Sequence, residues 1–397
     1  MTCPFCGIRG EDMQSVATIT EAAFYTDPPD PGVVEVNLFG PGYGESIVIH
    51  LGFGRWLIVD SCAPNDEAEP SALSYLKRIG VDHRQGVKYI VATHWHDDHI
   101  RGLSQLILAC PQADVFISDA LRYETLMSLV LEAAPRPVTN LREMHRTVET
   151  LLERHPDVGQ PYRFLVEDTA VHSELHHPEH DVEIWALSPS STDVVQAWQA
   201  IRGLLPSDLV EISAVPKPNE NHASTVLHVR VANQCVLLGA DREVHTNNGR
   251  GWQSVATSAT RRALRRSTLL KVPHHGSPNG DSLVIWRDLL EEDRVALLTP
   301  FRRGREGGRP RNTDVTRLCA QTPWTFSTSA PDVYSQEQSA LTGTSSENNA
   351  LGFEAPESAR PPLSQIRARA PKNGGPWSIE LVPPAAHLCK VNRCEAG

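Results

Sequence analysis

An α/β layered fold is the prediction, and three observations make it. Short apolar runs of strand character alternate with stretches of helical spacing along the whole chain. The run at 87–93 is continuously apolar rather than alternating, as expected of a strand covered on both faces. No internal repeat at a fixed short period interrupts this alternation, which argues against a solenoid or propeller.

The elements follow in order. Residues 1–32 read as an irregular lead-in that carries Cys3-Pro4-Phe5-Cys6 and ends in a proline-rich stretch. Residues 33–390 read as one domain. Its first strands are 33–38, 46–50 and 55–60, separated by Gly40-Pro41-Gly42-Tyr43-Gly44 and Gly52-Phe53-Gly54. Apolar spacing predicts helices over 70–79 and 102–109, flanking the strand 87–93. A helical insertion occupies 120–160, broken at Pro135 and Pro137. Residues 182–187 form a strand, and 226–231 with 235–238 form a hairpin around Ala232-Asn233-Gln234. A basic helix (261–266) precedes strands at 269–272 and 295–298. Residues 335–370 are rich in Ser, Glu, Asn, Ala and Pro with few apolar anchors, which predicts a flexible insertion. Residues 377–382 supply a last strand.

The bulk numbers exclude several classes. In 397 residues the chain is 40% hydrophobic and 21% charged, the balance of a globular protein in water. No apolar run approaches the roughly 18 residues of a membrane helix. The polar N-terminus does not resemble a secretory signal, so the expected compartment is the cytoplasm. The net charge of -11 opposes whole-surface binding of nucleic acid while leaving room for a local basic groove. Eight cysteines are too few for a disulfide scaffold. Cys110 and Cys235 lie in apolar runs and read as buried thiols. Cys3 and Cys6 with Cys389 and Cys394 could clip the termini through one zinc, or stay unliganded. The histidines between 172 and 180 read as a solvated loop.

Chemistry concentrates in His94-Trp95-His96-Asp97-Asp98-His99, directly after the strand 87–93. Such a turn is costly to fold unless cations neutralise and organise it. By the period of two, His94 and His96 face one side and can share a metal, while Asp98 and His99 come from the next turn and can hold a second. Imidazoles and carboxylates without thiolate suit zinc, with manganese or iron as alternatives. Two ions would polarise a substrate oxygen and bring the pKa of a shared water near neutral. Matching pieces follow two other short strands: Gly239-Ala240-Asp241 and His274-His275-Gly276-Ser277. Asp241 is placed to bridge both metals. One of His274 and His275 completes the second site, and the other is left to contact or protonate a leaving group.

These segments resemble the metallo-β-lactamase superfamily, and within it the hydrolase domain of ComEC-like DNA-uptake proteins. The likeness runs through 38–49, 57–61, 93–102, 221–227, 237–241 and 270–277, and spans about 33–330. It implies a four-layer αββα sandwich with a two-metal site at one edge of the sheets. It assigns His94 and His96 to the first metal, Asp98, His99 and His275 (or His274) to the second, and Asp241 to both. Asp98 would also orient the attacking water, and Asp60 would support the site from a strand end. His222 falls where many members carry a third histidine on the first metal and ComEC-like members an asparagine; it reads as a ligand or a supporting residue. Ala240 stands where a glycine is usual, and Arg101 replaces the first of two glycines after the motif, putting a cation beside the metals. Arg101 and Ser277 are the candidate substrate contacts.

The resemblance implies phosphodiester cleavage, with nucleic acid as one such substrate. Two basic clusters, Arg261 to Arg266 and Arg302-Arg303-Gly304-Arg305, fit that weakly. The favoured expectation is a metal-dependent phosphodiesterase or nuclease, placed by general likeness in a bacterial defence system with protein partners. The alternatives are a hydrolase of small esters, thioesters, lactones or lactams, and a non-catalytic binding module of the same fold.

Overall fold

A computed structural model describes residues 17–21, 26–40, 44–65, 68–122, 139–154, 161–175, 181–204, 220–301, 308–329 and 364–391. Two mixed β-sheets stack face to face, with helices on both outer faces, giving the αββα sandwich.

The first sheet has nine strands in the order β1-β16-β15-β2-β3-β4-β5-β6-β7. Its centre is β2 (Val33–Phe39), β3 (Ser46–His50), β4 (Trp56–Val59) and β5 (Val87–Ala92). The outer strands are β1 (Ala17–Glu21), β6 (Asp114–Ser118), β7 (Arg163–Leu165), β15 (Gln365–Pro371) and β16 (Trp377–Val382). The second sheet has eight strands, β17-β14-β13-β12-β11-β10-β9-β8. These are β8 (Thr169–Glu174), β9 (Val182–Ala186), β10 (Leu227–Val231), β11 (Gln234–Leu238), β12 (Ser267–Lys271), β13 (Leu290–Leu298), β14 (Thr325–Ser327) and β17 (Ala386–His387).

The period of two decides which residues meet. Val34, Val36 and Leu38 of β2, Ile47 and Ile49 of β3 and Leu57 and Val59 of β4 point between the sheets. They pack there against Ile184, Leu227, Val236, Leu269, Leu297 and Phe326. The alternate residues Val48, Ile58 and Ile90 face outward under α1 (Ser71–Arg78) and α4 (Leu103–Ala109), through Tyr75, Leu76, Leu106 and Ile107. Across the molecule Leu237, Leu270 and Leu298 are covered by Trp252, Trp286 and Leu318. Because both faces of the central strands are buried, their sequences run largely apolar, and the polar Glu35 and Asn37 of β2 are buried as a hydrogen-bonded pair.

Strands β4, β5 and β6 are parallel, as are β11, β12 and β13. Each set therefore releases its loops at one sheet edge, which brings distant segments of sequence together. The two sheets are tied at that edge by the Thr225 amide, which donates to the Thr93 carbonyl at 3.0 Å.

Several boundaries differ from the sequence expectation. Within the expected lead-in, 17–21 form β1, paired parallel to β16. The tail of the expected flexible insertion, 365–370, is strand β15, inserted between β2 and β16. Its Gln, Arg and Arg concealed it, because they alternate outward into polar partners: Gln365 donates to Asn37, and Arg369 to Glu35. β16 is followed by β17. Cys389 forms a disulfide with Cys319, which removes it from any zinc clip. Cys3, Cys6 and Cys394 lie outside the described residues, as do 123–138 of the helical insertion, of which Thr139–Arg154 is helix. Cys110 and Cys235 are free and buried, and burial pushes their thiols up to about 12 and about 11. Among the described residues no helix is long and apolar enough to cross a membrane.

Candidate metal centre

The strand β5 ends at Ala92, and the chain then turns into the short helix α3, Asp97–Ile100. Asp97 and Asp98 occupy its first turn, where exposed backbone N–H groups favour negative charge. Gly44 packs directly under this helix at φ +94°. A Cβ there would stand 3.0 Å from the Asp98 carbonyl oxygen, so the close approach needs glycine.

Six side chains from three loops converge. His94 Nε2 lies 3.1 Å from His96 Nδ1 and 3.9 Å from Asp241 Oδ2. His99 Nε2 lies 3.5 Å from Asp241 Oδ1 and 3.8 Å from Asp98 Oδ2. His275 Nε2 lies 3.4 Å from Asp98 Oδ2 and 3.6 Å from Asp241 Oδ2. Asp241 thus stands between the His94–His96 group and the Asp98–His99–His275 group. The atoms His99 Nε2, His275 Nε2 and Asp241 Oδ1 are buried without a hydrogen-bond partner. Ligands about 2.05 Å from a tetrahedral ion sit roughly 3.3 Å apart. Apart from the His94–His96 contact, the separations are long for hydrogen bonds, and at 3.1–3.9 Å the whole set brackets that figure, so the donor set fits two divalent cations.

The supporting contacts set which ring nitrogen faces inward. Asp60 Oδ2 accepts from His99 Nδ1 at 2.7 Å, and Asp60 also accepts from the Thr93 amide and hydroxyl. Asp60 therefore stands behind His99. His275 Nδ1 faces the Thr299 carbonyl at 3.1 Å, which leaves its Nε2 toward Asp98 and Asp241.

Electrostatics follow from crowding. Burial opposes charging of His99 and of His275, but the surrounding carboxylates, Asp241 first, outweigh it and hold both above the ordinary histidine value. Burial likewise opposes ionisation of Asp241, yet His275 and His99 hold its carboxyl well below the usual range. His94 is pushed down, chiefly by burial and then by His99 and His96.

His274 and His275 divide as expected, one toward Asp98 and Asp241 and one away, but through a tight turn rather than extended chain. Both adopt left-handed backbone angles, φ 47° and 52°, within Pro273–Gly276. His274 turns away from Asp98 and Asp241. Its Nε2 meets the Asn221 side-chain amide at 3.2 Å, and its Nδ1 lies 3.4 Å from Glu243. His222 sits 3.6 Å from the same Glu243, outside the His94–His96–Asp241 group. Ser277 is buried just past this loop, and Arg101 closes α3, its carbonyl accepting from Ser61.

Two residues escaped the sequence reading: Glu45, and Lys271 at the end of β12. Both are buried, 2.5 Å apart, on the floor of the site. The charged Lys271, directly after the apolar Leu269-Leu270 and before Val272, was the available signal. The basic cluster 261–266 begins at the other end of β12, and Arg261 is buried, donating to the Leu264 and Asp288 carbonyls. It therefore does not line the metal centre. Arg302, Arg303 and Arg305 lie outside the described residues.

Comparison with known proteins agrees with this architecture. A family model described as the metallo-beta-lactamase superfamily matches residues 39–241. No curated protein sequence matches the chain. Similar solved structures include a Cronobacter sakazakii metallo-beta-lactamase with a HARLDQ motif, 13% identical, covering 62% of this chain and 78% of that one at a TM-score of 0.31. YhfI from Bacillus subtilis is 13% identical over 60% of this chain and 70% of its own, at 0.30. The dizinc quorum-quenching lactonase AidC is 14% identical over 50% and 55%, at 0.28. With the family match extending over 39–241, the chain belongs to the metallo-beta-lactamase superfamily of metal-dependent hydrolases.

Proposed function

We propose that the protein is a dinuclear metal-dependent phosphodiesterase. The observation that carries this reading is a count of charge at the centre. Four carboxylates are buried there: Glu45, Asp60, Asp98 and Asp241. Asp98 and Asp241 face the gap between the histidines; Glu45, which clusters with His99, Asp241 and His275, has its charge offset by Lys271, and Asp60 stands behind His99. Two divalent ions held by two carboxylates and neutral imidazoles keep an excess of positive charge, which favours an anionic substrate over a neutral ester or lactam.

When bound, the ions would polarise a phosphoryl oxygen and make water acidic enough to attack near neutral pH. His94, His96 and Asp241 would hold one ion, and Asp98, His99, Asp241 and His275 the other. Asp98 turns Oδ2 toward His99 and His275, and its other oxygen would orient the attacking water. His274, steadied by Asn221 and Glu243, would meet the leaving group. Arg101 and Ser277 remain the candidate substrate contacts. Zinc suits the donor set best.

The test pairs bis-p-nitrophenyl phosphate with lactone and thioester substrates, with and without chelator, on the protein and on Asp98→Ala. Diester cleavage abolished by chelator and by the substitution is the expected result. Turnover of the carbonyl substrates alone would overturn the phosphodiester reading in favour of a carbonyl hydrolase. A metal-loaded protein inert to both classes would favour a binding module.

A further inference from the structure

The hydrolysis described above makes no use of the lysine buried beneath it. Lys271 occupies a position of β12 that, by the period of two, follows Leu269 toward the space between the sheets. Its side chain is 2% exposed. Its Nζ lies 2.5 Å from Glu45 Oε1, donates to the Ala240 carbonyl at 3.2 Å and stands 4.0 Å from Asp241 Oδ1. Glu45 comes from the opposite sheet, just before β3, so the pair bridges the sandwich at the floor of the site.

Glu45 in turn touches the backs of two proposed ligands. Its Oε2 accepts from the Thr299 hydroxyl at 2.6 Å and lies 3.8 Å from His275 Nδ1, while Oε1 lies 3.8 Å from His99 Nδ1. The Glu45 amide donates to the Asp98 carbonyl at 2.8 Å. One carboxylate thus meets the segments that carry Asp98, His99 and His275, and one ammonium holds that carboxylate. Without Lys271, the repulsion among the four buried carboxylates would be offset only by the neighbouring histidines.

We propose that Lys271 is a positioning residue: a fixed internal cation that holds Glu45, and through it Thr299, His275 and His99, in the metal-binding arrangement before metal arrives. The proposal rests on the dinuclear reading, but its main readout is the stability of the metal-free protein rather than hydrolysis. Lys271→Met keeps most of the volume and leaves Glu45 buried and uncompensated. Glu45→Gln with Lys271→Met removes both charges together.

The experiment is thermal unfolding of the unaltered full chain, the Lys271→Met variant and the double variant, each stripped with chelator and each with excess zinc. The metal-free single variant is expected to melt about 6 °C or more below the unaltered protein. Zinc should return most of that loss by supplying the missing positive charge, and the double variant should recover most of it without zinc. A packing role alone would lower the midpoint equally with and without zinc and leave the double variant no better than the single, and either result overturns the proposal. If Lys271→Met does not survive purification, refolding yield with zinc against chelator gives the same reading: recovery only with zinc supports it, and equally poor recovery overturns it. Failure of the unaltered protein to bind zinc would sink the dinuclear reading instead, and the metal-free single and double variants would still decide the ion pair.

Discussion

Asp60→Asn asks whether the proposed second metal site depends on a carboxylate outside its proposed ligand set. Asp60 Oδ1 accepts from the Thr93 amide at 2.7 Å, and Oδ2 accepts from the Thr93 hydroxyl at 2.8 Å and from His99 Nδ1 at 2.7 Å. Asn is nearly isosteric and tolerates the left-handed backbone there, φ 58°. Its oxygen can keep the Thr93 amide, which puts its NH2 where Oδ2 was. Two donors then face each other across 2.7 Å, and His99 must carry its proton on Nε2, the nitrogen meant for metal. A hydrogen bond to a charged group contributes about 1.5–3 kcal/mol. Supporting residues of this kind are worth roughly 10–100-fold in metal affinity, or about 1.4–2.8 kcal/mol, so the two estimates agree. Zinc titration against a competing chelator should show the weaker binding step falling by that factor, and the step held by His94, His96 and Asp241 falling far less. Equal loss at both steps, or none at the second, would refute the assignment of Asp60 as the residue that fixes the His99 tautomer.

Four other outcomes are expected. Ala240→Gly relieves a left-handed residue, φ 44°, that costs about 1–2 kcal/mol, while glycine gains about 0.4–1 kcal/mol of unfolded-chain freedom. The net should be a stabilisation of about 0.5–1 kcal/mol by urea unfolding, with metal stoichiometry unchanged. Zinc affinity should weaken as pH falls through the raised values of His99 and His275, since both must lose a proton to bind metal. The sign reverses for the metal-free fold. A raised histidine contributes stability fully present below its unfolded value, about 6.5, and lost as pH rises through the folded value, so chelated protein should lose stability over the window in which zinc affinity grows. Arg242→Ala removes a fully buried guanidinium that bonds Asp193, the His222 carbonyl and the Gly251 carbonyl. Its loss should cost about 3 kcal/mol, the lower end for a broken buried pair, because Arg250 still holds Asp193 at 2.9 Å. Denaturation that leaves this variant as stable as the parent would show the pair to be dispensable.

Much of the fold was legible because its central strands obey simple periodicity. β2 to β5 and the β10–β11 hairpin stand where apolar runs and turn residues put them. The six-residue motif was legible for a different reason, since few structures other than a metal site tolerate such crowding of histidine and carboxylate. Strands with polar outer faces were lost. β15 reads as Gln-Ile-Arg-Ala-Arg-Ala-Pro, and its arginines find their partners only across neighbouring strands, Glu380 on β16 and Glu35 on the sequence-distant β2. β1 pairs with β16, some 360 residues later, so no local signal exists for it. Glu45 and Lys271 were missed because a buried ion pair is a property of two positions that only the stacking of the sheets brings together.

Four positions at or beside the site share a backbone feature that sequence periodicity does not reveal. Asp60, Ala240, His274 and His275 all have φ between 44° and 58°, in the left-handed region that non-glycine residues avoid. Period-two reasoning presumes extended backbone, which neither His274 nor His275 adopts. Each such residue costs about 1–3 kcal/mol and persists only where its surroundings over-determine it. The surroundings do so here. Leu318 of the helix Asn312–Gln321 lies 3.1 Å from where a Gly276 Cβ would stand, Arg317 donates to the Gly276 carbonyl, and the His274 amide is held by the Ala240 carbonyl at 3.0 Å. That last bond joins two strained segments directly: the turn that presents Asp241 and the turn that presents His275. Strain in one is therefore sustained by the other, and loosening either should move both metal-facing side chains together.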